Sequence, residues 1–229
     1  TFACVGAVAL GILAYLAAAT PRLAAGKPFS PRELPTLFAA PALRNIYVVT
    51  ALFATAHFTC YSYIEPFLQQ VAHFPDDLIT LTLVLYGAAG MAGSALLSRT
   101  YGRMRFPLMR AVVIGVAASM ALLLATAASA TATVAVCALW GACYTAYNVA
   151  FQSEVLANST EDASAVAMSA YSGIFNLGIG SGTWIGGAVA QAAGIADVGL
   201  AGALVGLAAF AVCSVHLVRS IKRAEARAA

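Results

Sequence analysis

The sequence predicts an all-α integral membrane chain, and three observations carry that prediction. Apolar residues fill 62% of the 229 positions and charged residues only 9%, at a mean hydropathy of +0.87, so too few polar side chains remain to dress a water-facing surface. The apolar residues come in runs of roughly 20, the length at which a helix crosses a hydrocarbon core about 30 Å thick. Those runs lack the period-two alternation of a membrane barrel, which leaves helices as the spanning element.

Taken in order, the first run is residues 1–19, apolar from Phe2 onward with no basic stretch ahead of it as a signal peptide would need. It is expected to be a transmembrane helix, and a Thr in first place points to upstream partners outside this sequence. Residues 20–45 then form a loop that holds Pro21, Pro28, Pro31, Pro35 and Pro41 among Arg22, Lys27, Arg32 and Arg44. Within it, Ser30, Pro31 and Glu33 match a capping box with Pro at the first helical position. A short interfacial helix there and an irregular linker fit the residues equally well. Six further spans follow at roughly 46–70, 78–98, 108–127, 131–152, 164–190 and 199–219, a six-helix unit over 46–219 that ends in a basic tail, 220–229.

The cations predict sidedness, because Lys and Arg near span ends are retained on the cytoplasmic face. They fall in the 20–45 loop, in or beside the loop between the third and fourth spans (Arg99, Arg103, Arg105, Arg110), and at the end (Arg219, Lys222, Arg223, Arg227), whereas the intervening loops carry Asp76, Asp77 and Asp197. The C-terminus is therefore expected in the cytoplasm. The predicted cytoplasmic loop 153–163 is acidic, with Glu154, Glu161 and Asp162, which the rule tolerates because carboxylates contribute little to orientation.

Several functions lack their residues. A retinal Schiff base needs a lysine inside a span, and Lys27 and Lys222 both lie in loops. Cys4, Cys60, Cys137, Cys143 and Cys213 are odd in number and show no CxxC or Cys/His ligand spacing, so no metal and no cofactor is expected. No HExxH, GxSxG, Walker or GxGxxG arrangement occurs, which argues against an enzyme. Nothing points to nucleic acid, and no span carries the continuous polar stripe of an ion channel.

Glycines recur at packing intervals instead. Gly178, Gly182 and Gly186 are four apart and line one helix face, and Gly87, Gly90 and Gly93 repeat the pattern at three. Small residues let helices approach where lipid gives no hydrophobic drive, and smooth faces of this kind can also slide. Intramembrane polar groups are costly and usually face a bundle interior or a watery cavity. His57, Tyr61 and Glu65 form a slanted stripe, with His57 and Glu65 about 12 Å apart in rise and about 80° in rotation. Tyr144, Tyr147, Asn148 and Gln152 cluster on another span, and Tyr171 and Asn176 precede the glycine face. Amides that bond hydroxyls and aromatic faces that cover a ring suit a neutral polyhydroxy ligand. For each residue alone, an interhelical hydrogen bond or an interfacial aromatic explains its presence as well. Pro66 removes a backbone donor, so the helix is expected to bend beside Glu65.

The stretches TAHFTCYSYIEPFL, WGACYTAYNVAFQSEVL and SGIFNLGIGSG resemble the C-terminal half of bacterial sugar efflux transporters of the major facilitator superfamily, a group related to drug:proton antiporters. The resemblance covers nearly the whole chain. It implies two six-helix halves, with this chain supplying the last helix of the first and all of the second, in the bacterial inner membrane. The implied partners are a small sugar, the proton, the lipid bilayer and the missing N-terminal half, and the implied activity is proton-driven sugar export by alternating access. Multidrug export by the same fold and a non-transporting membrane scaffold or sensor are the rival readings.

The superfamily's loop motif of Gly, acid, Arg, Gly and basic residues falls on Gly93, Ser98, Arg99, Gly102, Arg103 and Arg105, with Ser98 in place of the acid and one extra residue before Gly102. Glu154, Glu161 or Asp162 is the expected partner of these arginines in a cytoplasmic gate, tested as an Arg103/Glu154 charge swap. A solvated basic loop that serves orientation alone is the plainer alternative, since exposed pairs contribute only about 0–1 kcal/mol. His57, Tyr61, Tyr144, Asn148, Tyr171 and Asn176 are the expected substrate-facing residues. Glu65 is the expected proton or gating group, because burial favours the protonated form of a carboxyl.

Overall fold

The computed structural model describes residues 2–19 and 38–228. The capping box at Ser30, Pro31 and Glu33 and any interfacial helix behind it lie outside the described residues. Phe2–Ala19 is a helix, α1, belonging to a compact unit of its own, Thr1–Ser30; the second unit is Pro31–Ala229. Among the described residues there is no strand.

In the second unit α2, Pro41–Tyr61, starts five residues before the expected span, with Pro41 in its first turn, where a missing N–H costs nothing. It stops at Ser62 and Tyr63, and a short helix α3, Ile64–Gln70, resumes the direction. The expected bend beside Glu65 thus falls three residues ahead of Pro66. Pro66 has no N–H for the Ser62 carbonyl, and the helix breaks where that bond is lost. His73, in the link to the next helix, holds the left-handed conformation at φ 54°.

The spans expected at 78–98 and 108–127 form one helical run, α4, Asp76–Thr126, with a single non-helical residue at Met104 (φ −129°, ψ 34°) and Pro107 inside the run. If straight, Gly93 and Gly115 would stand about 33 Å apart. Both instead lie against adjacent residues of one neighbouring helix, Gly93 on Ala142 and Gly115 on Cys143. Eleven residues separate each from Met104, so α4 folds back on itself there, and the expected basic loop is a helical corner. Pro107 explains the site: it leaves the Arg103 carbonyl without its usual donor and disfavours helical geometry just before it.

The neighbour is α5, Ala130–Ala157, whose start is capped by Ser129 Oγ accepting from the Ala132 N–H at 3.4 Å. α6 spans Ser164–Ala192 and α7 Val198–Val212. A π-helical turn, Cys213–Leu217, leads into α8, Val218–Ala228, so the basic tail from 220 continues the last helix. Neighbouring side chains satisfy carbonyls of that turn: Arg110 Nη2 donates to Ser214 O at 3.2 Å, and Asn45 Nδ2 to His216 O at 3.4 Å.

Among the described residues three helices are long and apolar enough to cross a membrane: Asp76–Thr126, which folds back, Ala130–Ala157 and Ile195–Ala226. α2 and α6 carry the polar and glycine positions and pack face to face. A Cβ at Gly178 would lie 2.5 Å from Ala54 Cβ, and Cβ atoms at Gly182 and Gly186 would overlap the Thr55 and Thr59 carbonyls. Hydroxyl pairs Thr55–Ser181 at 3.0 Å and Ser62–Thr183 at 2.8 Å lace the seam. The second triplet behaves differently: Gly90 and Gly93 pack on α5, but Gly87 faces open space, so the expected three-residue face holds two contacts. Gly199 and Gly202 of α7 admit Met120 of the second α4 arm.

Candidate functional site

An aromatic and amide cluster forms where α2, α4, α5 and α6 meet. Its anchor is a buried hydrogen bond, Trp140 Nε1 donating to His57 Nδ1 at 3.1 Å. An imidazole nitrogen that accepts is unprotonated, so in the neutral ring the proton sits on Nε2. His57 is 1% exposed and lies between Tyr144, stacked at 3.9 Å, and Tyr61, stacked at 5.0 Å. Tyr86 of α4 closes the ring, 5.3 Å from Tyr61 and edge-on to Trp140 at 5.8 Å. One helical turn deeper along α2, Phe53 stacks on Tyr147 at 3.5 Å, and Tyr147 Oη donates to Thr50 Oγ1 at 3.1 Å.

The expected substrate-facing residues divide into those brought together and those not. Tyr61, Tyr144 and Asn148 are half-buried at the cluster. Asn148 spends one amide hydrogen on the Tyr144 carbonyl at 3.0 Å, which leaves its oxygen as an acceptor. His57 is buried behind them, so it holds the aromatic faces in place from the rear. Tyr171 is buried on α6, ring to ring with Phe175 at 6.1 Å, and Asn176 is exposed on the same helix, donating to Ser172 O at 2.8 Å. The buried hydroxyl of Tyr86 has no hydrogen-bond partner among the described residues, at a penalty of about 1–3 kcal/mol, while that of Tyr171 lies beside the Tyr147 and Thr50 hydroxyls. Trp140 and Tyr86 were not singled out from the sequence. Their signal there is only an aromatic within a long apolar run, which is also how a core or an interfacial residue reads.

Glu65 lies in the first turn of α3 and is exposed, without the burial on which a proton role was argued.

A second cluster sits at the corner of α4. Arg105 meets Glu154 through a two-pronged contact, Nε to one carboxylate oxygen and Nη2 to the other, and reaches Glu225 of α8 through Nη1. Tyr101 donates its hydroxyl to Glu154 as well. Glu154 is 1% exposed and accepts from Asn158 Nδ2 at 3.3 Å, so this is a buried carboxylate and not the exposed pair weighed from the sequence. The expected gating residues Arg99, Gly102 and Arg103 are all exposed, and the partner of Glu154 is Arg105. Tyr101 and Arg105, on either side of the Met104 reversal, both reach Glu154, while Arg103 is exposed.

Among the described residues no group of acidic, His and Cys side chains has metal-binding geometry. Residues 1–183 match the Major Facilitator Superfamily. A probable sugar efflux transporter of Pasteurella multocida is 38% identical over 207 residues, 89% of this chain and 50% of the relative. One of Mannheimia succiniciproducens is 34% identical over 206 residues, 90% of this chain and 52% of the relative. The chain thus spans about half the length of the curated relatives it matches. On the match across most of its length, joined to its apolar folded-back helices, the chain is a multi-pass membrane protein that belongs to the major facilitator superfamily.

Proposed function

We propose that the chain forms the C-terminal half of a proton-coupled secondary transporter that exports small sugars by alternating access, with its C-terminus in the cytoplasm of a bacterial cell. The observation that carries the substrate class is the cluster around the Trp140–His57 bond. It offers two half-exposed tyrosine rings, Tyr61 and Tyr144, and the free amide oxygen of Asn148, a set that covers the apolar face of a sugar ring and bonds its hydroxyls. The names of the relatives support the same class.

Alternating access needs two closures. The Arg105–Glu154–Glu225 cluster supplies a lock at the end of the bundle where the cations gather, and the smooth α2–α6 seam supplies a surface about which the opposite end rocks. The test is counterflow of labelled arabinose, lactose and a thiogalactoside in vesicles of the full-length protein, N-terminal half included, beside a lipophilic dye. Sugar movement that falls at least about tenfold in Tyr144→Ala supports the site; dye without sugar movement assigns multidrug export, a reading the aromatic content of the cluster also suits. No movement of either solute is the outcome expected of a scaffold. Proton coupling is tested in Glu65→Gln, where unchanged pH dependence removes Glu65 from it.

A further inference from the structure

At the cation-rich end, α2 and the last helix enclose a pocket of about 260 Å³ lined by Arg44, Asn45, His216, Arg219, Ser220 and Arg223. We propose that it binds the phosphate of an anionic phospholipid headgroup.

Three guanidinium groups share one concavity, and among the described residues none of them pairs with a carboxylate; Arg105, a short distance along the same end, has two. Orientation of the chain requires cations at this end but not their convergence on one hollow. Like charges held together repel, and an anion between them turns that repulsion into attraction. Guanidinium forks match phosphate oxygens geometrically, which a diffuse basic surface does not.

The backbone adds to this. α2 begins at the pocket with Pro41 after Ala40, which provides no side-chain cap, so the positive end of the helix dipole is unmatched there. Asn45 Nδ2 donates to Ser220 Oγ at 3.1 Å and to the His216 carbonyl, which ties α2 to the π-helical turn and fixes the spacing of the arginines. An adjoining pocket of about 240 Å³ shares Pro41, Ser220 and Arg223 and has room for the ester substituents of the phosphate.

Position favours a lipid over a soluble anion. Val215 on the rim is 42% exposed, and the apolar run of α7 gives way at Arg219 to the basic α8, so the pocket stands where a span meets the membrane surface. Anionic headgroups are concentrated there.

The experiment is native mass spectrometry of the detergent-purified protein with equal phosphatidylglycerol and phosphatidylcholine, with and without inorganic phosphate. Phosphatidylglycerol is expected to be retained about tenfold better than phosphatidylcholine. An Arg near an anionic surface contributes about fivefold, so R219Q should lower retention about fivefold and R44Q/R219Q/R223Q about a hundredfold. R99Q/R103Q/K222Q, which removes as many cations at the same end outside the pocket, should stay within about threefold. Equal retention of the two lipids, or equal loss in the two triple variants, overturns the proposal. So does displacement of phosphatidylglycerol by millimolar inorganic phosphate, which assigns the pocket to a soluble anion. The single variant keeps the test open if the triple fails to fold, and no arm depends on which solute is carried.

Discussion

Trp140 holds His57 as a hydrogen-bond acceptor in a place water does not reach, and so sets which imidazole nitrogen keeps its proton. Replacing it by Phe keeps one aromatic ring in place, removes the donor and leaves part of the indole volume empty. Trp140→Phe should lower stability by about 1–3 kcal/mol, the cost of an unsatisfied buried acceptor, read as a lower midpoint of thermal unfolding in detergent. At the corner, Glu154→Ala leaves Arg105 with only Glu225 and should cost about 3 kcal/mol, near the lower end for a broken buried pair. Arg103→Ala, on an exposed side chain, should stay within about 0.5 kcal/mol. A charge swap of Arg105 with Glu154 is the informative double variant; equal losses in Arg103→Ala and Arg105→Ala would refute the pairing. The motif residues were visible in the sequence, but its degenerate spacing did not say which arginine turned inward. The shared contact of Tyr101 and Arg105 with Glu154 settles that.

The elements owe their arrangement to glycine contacts and one proline. Gly182→Ala places a methyl group on the Thr55 carbonyl and should separate α2 from α6 at a cost of about 1–3 kcal/mol. Gly87→Ala meets nothing and should be neutral or stabilising by up to about 1 kcal/mol, because a helical Gly gives up more entropy than Ala. Comparing the two unfolding midpoints checks the seam, and equal shifts would contradict it. Both glycine triplets were legible as small-residue faces. That one face touches at all three positions and the other at two was not, since in lipid an apolar helix looks alike from every side. The reversal at Met104 was legible as a cluster of cations between two spans, though as a loop and not as a helical corner.

At the scale of the molecule Arg44, Arg105 and the arginines of the last helix gather at one end of the second unit. Arg105 reaches Glu225, and Arg44 shares a pocket with Arg219 and Arg223. A C-terminal green fluorescent protein fusion is expected to fluoresce and a C-terminal alkaline phosphatase fusion to be inactive, as for a cytoplasmic end; the reverse pattern would invert the topology. Membrane immersion was legible in the sequence alone, because hydropathy accumulates along the chain and needs no partner. Only the tertiary structure decided that His57 backs the cluster from within, that Trp140 and Tyr86 complete it, that Glu65 is exposed and that Arg105 holds Glu154. Each of those depends on the rotation of a helix about its axis against its neighbours. In a chain with apolar residues at 62% of its positions that rotation leaves little periodic trace, because lipid and protein interior ask for the same residues.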